Sequence, residues 1–283
     1  MRQRRFRIGH LAVACSAMAA CLGLALAQPG GGTSGAASAP AAGVPAAGAS
    51  VAPPAELDER CEVPEELAPE IERLPALTRA IAEPAQPLSI VVLGSRASHP
   101  VRRGPPFPAR LQAALAQRLA DRGLPNVVNV TMVGRTQALA ADLARLLARE
   151  VIPARPQLVI WQVGRSDARR GNPPSRFARS LGDGLAALQK AGMDVIVGDM
   201  QFHPQFEALY RTDDYRHYLR WLAGERSLPL LRRYEMIEHW VESGRIDLDS
   251  TEDREQAIAY DFIQECLAHH AARMILAGAG LAR

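Results

Sequence analysis

Five apolar runs of strand length, near 88–93, 127–133, 158–163, 194–199 and 228–231, punctuate this chain, and stretches of helical period fill the gaps between them. Continuous Val/Ile/Leu runs are buried on both faces, a condition met by a parallel sheet covered by helices on both sides. The intervening helices are predicted at Pro108–Arg122, Gln137–Ile152, Pro174–Ala191 and Phe206–Gly224, with a final helix at Arg254–Ala277. In open sheets of this kind ligands lie outside the carboxyl ends of the strands. Leu93, Val133, Val163 and Asp199 are such ends, so the loops after them are the places to look for chemistry.

The N-terminus carries a different signal. Arg2, Arg4, Arg5 and Arg7 precede an apolar run from about Leu11 that ends in Ala25-Leu26-Ala27, the pattern of a secretory signal peptide over residues 1–27 cleaved before Gln28. An uncleaved anchor is the alternative, although the run is shorter than the roughly 20 apolar residues a span needs. Lipidation at Cys21 is a lesser option. Residues 28–56 are almost wholly Gly, Ala, Pro, Ser and Val, too poor in bulky apolar side chains to fold, and read as a flexible tether. A single globular domain over 57–283 follows.

Export changes the charge and cysteine arithmetic. The formal net charge is +3, but loss of the four N-terminal arginines leaves 29 basic residues against 30 acidic. Nucleic acid is therefore not supported as a partner, and contact with membrane is expected only through the signal peptide. Cys15 and Cys21 leave with that segment. Cys61 and Cys266 remain in an oxidising compartment and are predicted to form a disulfide, with two buried free thiols as the alternative.

The residues at the strand ends carry a family likeness. The run Trp161-Gln162-Val163-Gly164-Arg165-Ser166-Asp167 resembles the block with which SGNH/GDSL hydrolases end their third strand, Gly-x-Asn-Asp, with Ser166 at the position of the Asn that stabilises the oxyanion. Leu88 to Ser98 resembles the nucleophile block, in which the third residue counted from Gly94 is Arg96, where the family has its serine. Val130-Thr131-Met132-Val133-Gly134-Arg135 resembles the second block, with Arg135 at the glycine position unless the register slips by one to Gly134. Counting back from Cys266-Leu267-Ala268 puts the family's Asp-x-x-His on Glu255 and Ile258, or on Asp261 and Gln264 in a shifted register. The resemblance spans roughly residues 58–283. It implies a flavodoxin-like three-layer α/β/α fold, with a five-stranded parallel sheet in the order 2-1-3-4-5, and an ester hydrolase whose working groups are largely replaced.

An active member needs a hydroxyl nucleophile, a histidine base, an acid to orient it and donors for the oxyanion. Arg96 and Ile258 supply neither of the first two. Ser95 and Ser98 flank the vacant position, with His99 and His203 in strand-end loops and Asp167 nearby, so a rearranged esterase acting on carbohydrate acetyl or acyl groups is one expectation. Such serines are ordinarily turn residues, and His269 and His270 read as packing residues of the last helix. What does accumulate at the strand ends is arginine: Arg96, Arg102, Arg103, Arg135, Arg165, Arg169 and Arg170. Guanidinium groups offer forked donors to carboxylate, sulfate or phosphate. The other expectation is thus a ligand site formed by Arg96, Arg135 and Arg165, serving an anionic or glycan ligand of the cell envelope or a protein partner. A purely structural module with no occupied pocket is the third. No metal ligand set, phosphate-binding glycine loop or cofactor motif is evident. The aromatic stretch Tyr210, Tyr215, Tyr218, Trp221 is read as packing, with a carbohydrate-stacking face as the sharper option.

Overall fold

The computed structural model describes residues 54–68, 72–95 and 104–281. The predicted signal peptide and most of the tether lie outside these, as do Arg96, Ser98, His99, Arg102 and Arg103. The described chain opens with helices α1 (Pro54–Arg60) and α2 (Pro75–Ala82), then strand β1 (Leu88–Gly94) and α3 (Phe107–Ala120). β2 (Val128–Val133) leads to α4 (Ala140–Leu146), which runs through a π turn (Leu147–Val151) into the short α5 (Ile152–Ala154). β3 (Leu158–Gln162), α6 (Arg165–Arg169), α7 (Pro174–Lys190) and β4 (Asp194–Gly198) come next. The chain continues through α8 (Pro204–Leu209), α9 (Asp213–Glu225), β5 (Leu230–Leu231), α10 (Arg233–Glu242) and α11 (Asp253–Gly278).

All five strands are parallel, in the order β2-β1-β3-β4-β5. Side chains alternate across a strand, and here that alternation sorts the core into two layers. Ile90, Val92, Leu158, Ile160 and Ile196 point to one side, against α2, α3, α10 and α11. Val91, Leu93, Val159, Trp161, Val195 and Val197 point to the other, against α4, α7 and α9. Trp161 is fully buried, and its ring fits because α7 carries Gly184 opposite it: a Cβ there would lie 2.3 Å from a ring carbon. The edge strand β2 is only partly buried, as its polar residues Asn129 and Thr131 anticipate.

Several boundaries differ from expectation, with the helix expected from Gln137 starting at Ala140 and the strand expected at 228–231 reduced to Leu230–Leu231. The tether boundary expected at residue 56 falls inside α1, which starts at Pro54. The predicted helix Phe206–Gly224 is two helices, because Tyr210 is extended and Thr212 turns its hydroxyl onto Glu207 Oε2 at 2.7 Å. The segment after β3 is helical from Arg165, where a loop was expected. Among the described residues no helix is long and apolar enough to cross a membrane.

Cys61 and Cys266 are joined in a disulfide, with Cα atoms 5.1 Å apart, fastening the end of α1 to the middle of α11. Two buried histidines complete the clasp. His270 donates from Nε2 to the Cys61 carbonyl at 2.7 Å. His269 accepts from Arg118 at Nδ1 (3.1 Å) and meets Asp58 Oδ1 through Nε2 (2.9 Å), partners that suit a neutral ring. Burial first, then the charges of His270 and Arg118, outweigh Asp58 and push His269 down to about 4. Burial also lowers His270. Because the unfolded ring takes its proton near its ordinary 6.5, the unfolded state binds more protons between that value and about 4, so stability falls as pH drops through this window and is level above it. In urea unfolding at pH 7.5 and pH 5.0, the wild type should lose more stability than His269→Gln. Equal losses would contradict the assignment.

Candidate functional site

The site begins with a row across the sheet. Gly94 on β1 pairs with Gln162 on β3, which pairs with Gly198 on β4, which pairs with Leu231 on β5, all at the carboxyl ends. Glycine is needed on both sides of Gln162: a Cβ at Gly94 would lie 3.1 Å from its Cβ, and one at Gly198 would lie 3.3 Å from its Cγ. The loop after β2 comes closer still. A Cβ at Gly134 would stand 1.8 Å from the Gly94 carbonyl oxygen, so backbone presses on backbone where only glycine fits. The position that must be glycine is therefore Gly134. Arg135, the first choice from the motif count, is exposed and is not among the described residues that line the cleft.

Above this row opens a cleft of about 1000 Å³, walled by the start of α3, residues 136–138, α6, residues 201–206 and one face of α11. Its charge is one-sided. Arg165, Arg169 and Arg233 line it, and no Asp or Glu does so among the described residues. Arg165 donates to the Gln201 carbonyl at 3.0 Å and lies over the Phe206 ring, 4.0 Å from its centroid. Burial and then Arg169 lower its pKa, with Glu207 opposing. Arg233 follows β5, is 6% exposed, and donates from Nε to the Asp199 carbonyl at 2.7 Å. Burial pulls Arg233 down to about 10, with Asp199 opposing and Arg165 adding to the fall. The Asp199 side chain accepts from Tyr234 N–H at 3.0 Å, and complete burial, then Glu235, raises its pKa well above its ordinary value against the opposing pull of Arg233. Among the described residues neither Arg165 nor Arg233 has a carboxylate partner in a salt bridge. A smaller cavity of about 610 Å³ near α1, by contrast, mixes Asp58, Glu62 and Glu65 with Arg118 and Arg273.

The expected site residues are distributed as follows. Ser95, Arg165, Ser166 and His203 line the cleft; Arg96 and Ser98 lie outside the described residues. Ser166 is 7% exposed in the first turn of α6. Asp167 is fully buried and committed elsewhere: it accepts from Ala140 N–H at 3.0 Å and from Asn172 at 2.7 Å, tying α6 to the first turn of α4. Burial raises its pKa. Glu255 accepts from Ser250 in the exposed first turn of α11, and Ile258 is 50% exposed. The cleft face of α11 is Gln256, Tyr260, Ile263 and Gln264, and at about 100° per residue Ile258 falls on the opposite side of the helix from Tyr260. In the shifted register Gln264 does enter the cleft, while Asp261 turns to an ion pair with Arg110. Of the aromatic stretch, Tyr215 and Tyr218 pack edge-on to Phe177, while Trp221 is exposed. Among the described residues no group of three or more His, Cys, Asp or Glu is placed to hold a metal.

Gln162 and Arg233 are among the cleft residues to which the motifs do not point. Gln162 had a signal, as the one polar residue in the apolar run Leu158–Gln162. Arg233 follows a strand only two residues long, too short for its end to stand out in the sequence.

Fold, strand-end cleft and motif order together define an SGNH/GDSL-type α/β/α protein. The chain belongs to the non-GDSL lipase-like family, whose model matches residues 60–281. It is 33% identical over 100 residues to esterase TesA of Pseudomonas aeruginosa, a match covering 35% of this chain and 48% of that protein, so it spans about half the length of that relative. Among solved structures, LAE5, an alpha/beta hydrolase enzyme from the metagenome of Lake Arreo, Spain, aligns with a TM-score of 0.50 at 16% identity, over 69% of this chain and 96% of its own. AlinE4, an SGNH-hydrolase family esterase, aligns with a TM-score of 0.46 at 20% identity, over 59% and 87%.

Proposed function

We propose that this chain is an exported, catalytically silent relative of the SGNH/GDSL hydrolases, whose strand-end cleft binds an anionic ligand of the cell envelope. The observation that carries this is the lining of the cleft: three arginines, with no acid among the described residues. Two of them, the half-buried Arg165 and the buried Arg233, are held by backbone carbonyls and not, among the described residues, by salt bridges to acids, and Arg169 is exposed. Acyl transfer fares worse. The motif position of the nucleophile is Arg96, and the helix face that would present a base offers Gln256, Tyr260 and Gln264. Loss of nucleophile or base typically removes several powers of ten in rate.

The purified chain should therefore turn over short acyl esters no faster than a heat-killed control. The second reading, an esterase with a displaced nucleophile, is favoured by one fact: Ser95 and His203 line the same cleft. Hydrolysis that is abolished by Ser95→Ala would establish that enzyme and end the silent one. Labelling by a serine-directed phosphonate would point the same way.

A further inference from the structure

We infer that the ligand of the strand-end cleft is an acidic oligosaccharide, a chain of sugars bearing carboxylates; this rests on the anion-binding role proposed above. Charge alone would suit a bare inorganic anion, but the rest of the lining does not. Gln137, Gln162, Gln201, Gln205, Gln256 and Gln264 all border the cleft. A primary amide offers both an acceptor and two donors without charge, matching a hydroxyl, which also gives and takes one hydrogen bond.

Several of these amides are uncommitted. Gln264 uses its oxygen to accept from Phe107 N–H at 3.1 Å, which turns its NH₂ group the other way. Gln256 spends one N–H on the Ser250 carbonyl at 2.9 Å. The amides of Gln162, Gln201 and Gln205 make no side-chain hydrogen bond with any described residue. Neutral amides beside arginines give an acyl chain nothing to bind, whereas each can meet a sugar hydroxyl.

Size and shape agree. A volume of about 1000 Å³ is at the upper end of small-ligand clefts, room for more than one sugar ring. Phe202 and Tyr260, both half-buried, add apolar surface for the faces of such rings. One face of Phe206 is already taken by Arg165, which fixes that guanidinium as an anchor at the wall.

The test is calorimetric titration of the purified chain with tetragalacturonate, with its methyl ester, and with sulfate at constant ionic strength. Tetragalacturonate should bind at least tenfold more tightly than either of the others. The double variant Gln201→Ala/Gln205→Ala should weaken it by about fivefold and leave sulfate unchanged, since each lost neutral hydrogen bond is worth a factor of a few. Arg169→Ala should weaken both. If sulfate equals tetragalacturonate, or if the double variant weakens both alike, the oligosaccharide is overturned while the anion site stands. If the methyl ester binds as well as the acid, recognition of the carboxylates is overturned. Silence from all three overturns the oligosaccharide and the anion site together.

Discussion

Gly134→Ala is expected to cost about 3 kcal/mol or more of unfolding free energy, whereas Arg135→Ala next to it should stay within about 0.5 kcal/mol. The added methyl would sit 1.8 Å from the Gly94 carbonyl oxygen. Both partners are backbone at the ends of paired strands, so no rotamer change relieves the contact; the β2 loop must lift from β1 or the strand end must bend. Arg135 is exposed and its removal leaves no such debt. Urea unfolding of both variants reads the difference. A mild Gly134→Ala with a damaging Arg135→Ala would restore the register in which Arg135 fills the glycine position.

Loss of the disulfide should be of similar size. Cys61 and Cys266 are 205 residues apart in sequence and both fully buried, so the bridge closes most of the domain into one loop and restricts the unfolded chain. Removal of a native bridge typically costs about 2–5 kcal/mol. The loss should also be local at first, because α1 carries few apolar anchors: Leu57 is its one buried hydrophobic side chain among the described residues. What remains there are polar contacts such as His269 to Asp58 and Arg273 to Asp58. The double variant Cys61→Ala/Cys266→Ala should therefore show early hydrogen exchange in α1 together with a lower unfolding midpoint. Unchanged stability would mean that the clasp does not constrain the fold.

The sheet was legible because its signal is redundant. Each central strand is an apolar run long enough to be read alone, and the motif blocks fixed the order. The shorter helices α2 and α10 were not, since eight to ten residues between longer elements leave little period to read. The site was legible by location only. Strand-end reasoning found Arg165, Ser95 and Ser166, but which neighbours share a cleft depends on helix phase and strand register. That is why Ile258 turned outward while Gln264, six residues on and so rotated by about 240° around the helix, turned in. Asp167 shows the same limit: a carboxylate inside a motif block can be spent on a helix N-terminus, and only the fold reveals it.

Thermal unfolding in a sulfate series at constant ionic strength tests anion binding in the arginine-lined cleft most directly. Sulfate favours compact states of most proteins by exclusion, so the informative quantity is the difference between wild type and Arg169→Ala or Arg233→Gln. A specific site adds a term that grows as RT ln(1 + [L]/Kd), about 2.7 kcal/mol at a hundredfold excess over Kd. The predicted result is a rise in midpoint that follows this logarithmic form, present in the wild type and reduced in both variants. A rise of equal size in all three proteins, or none, would contradict it.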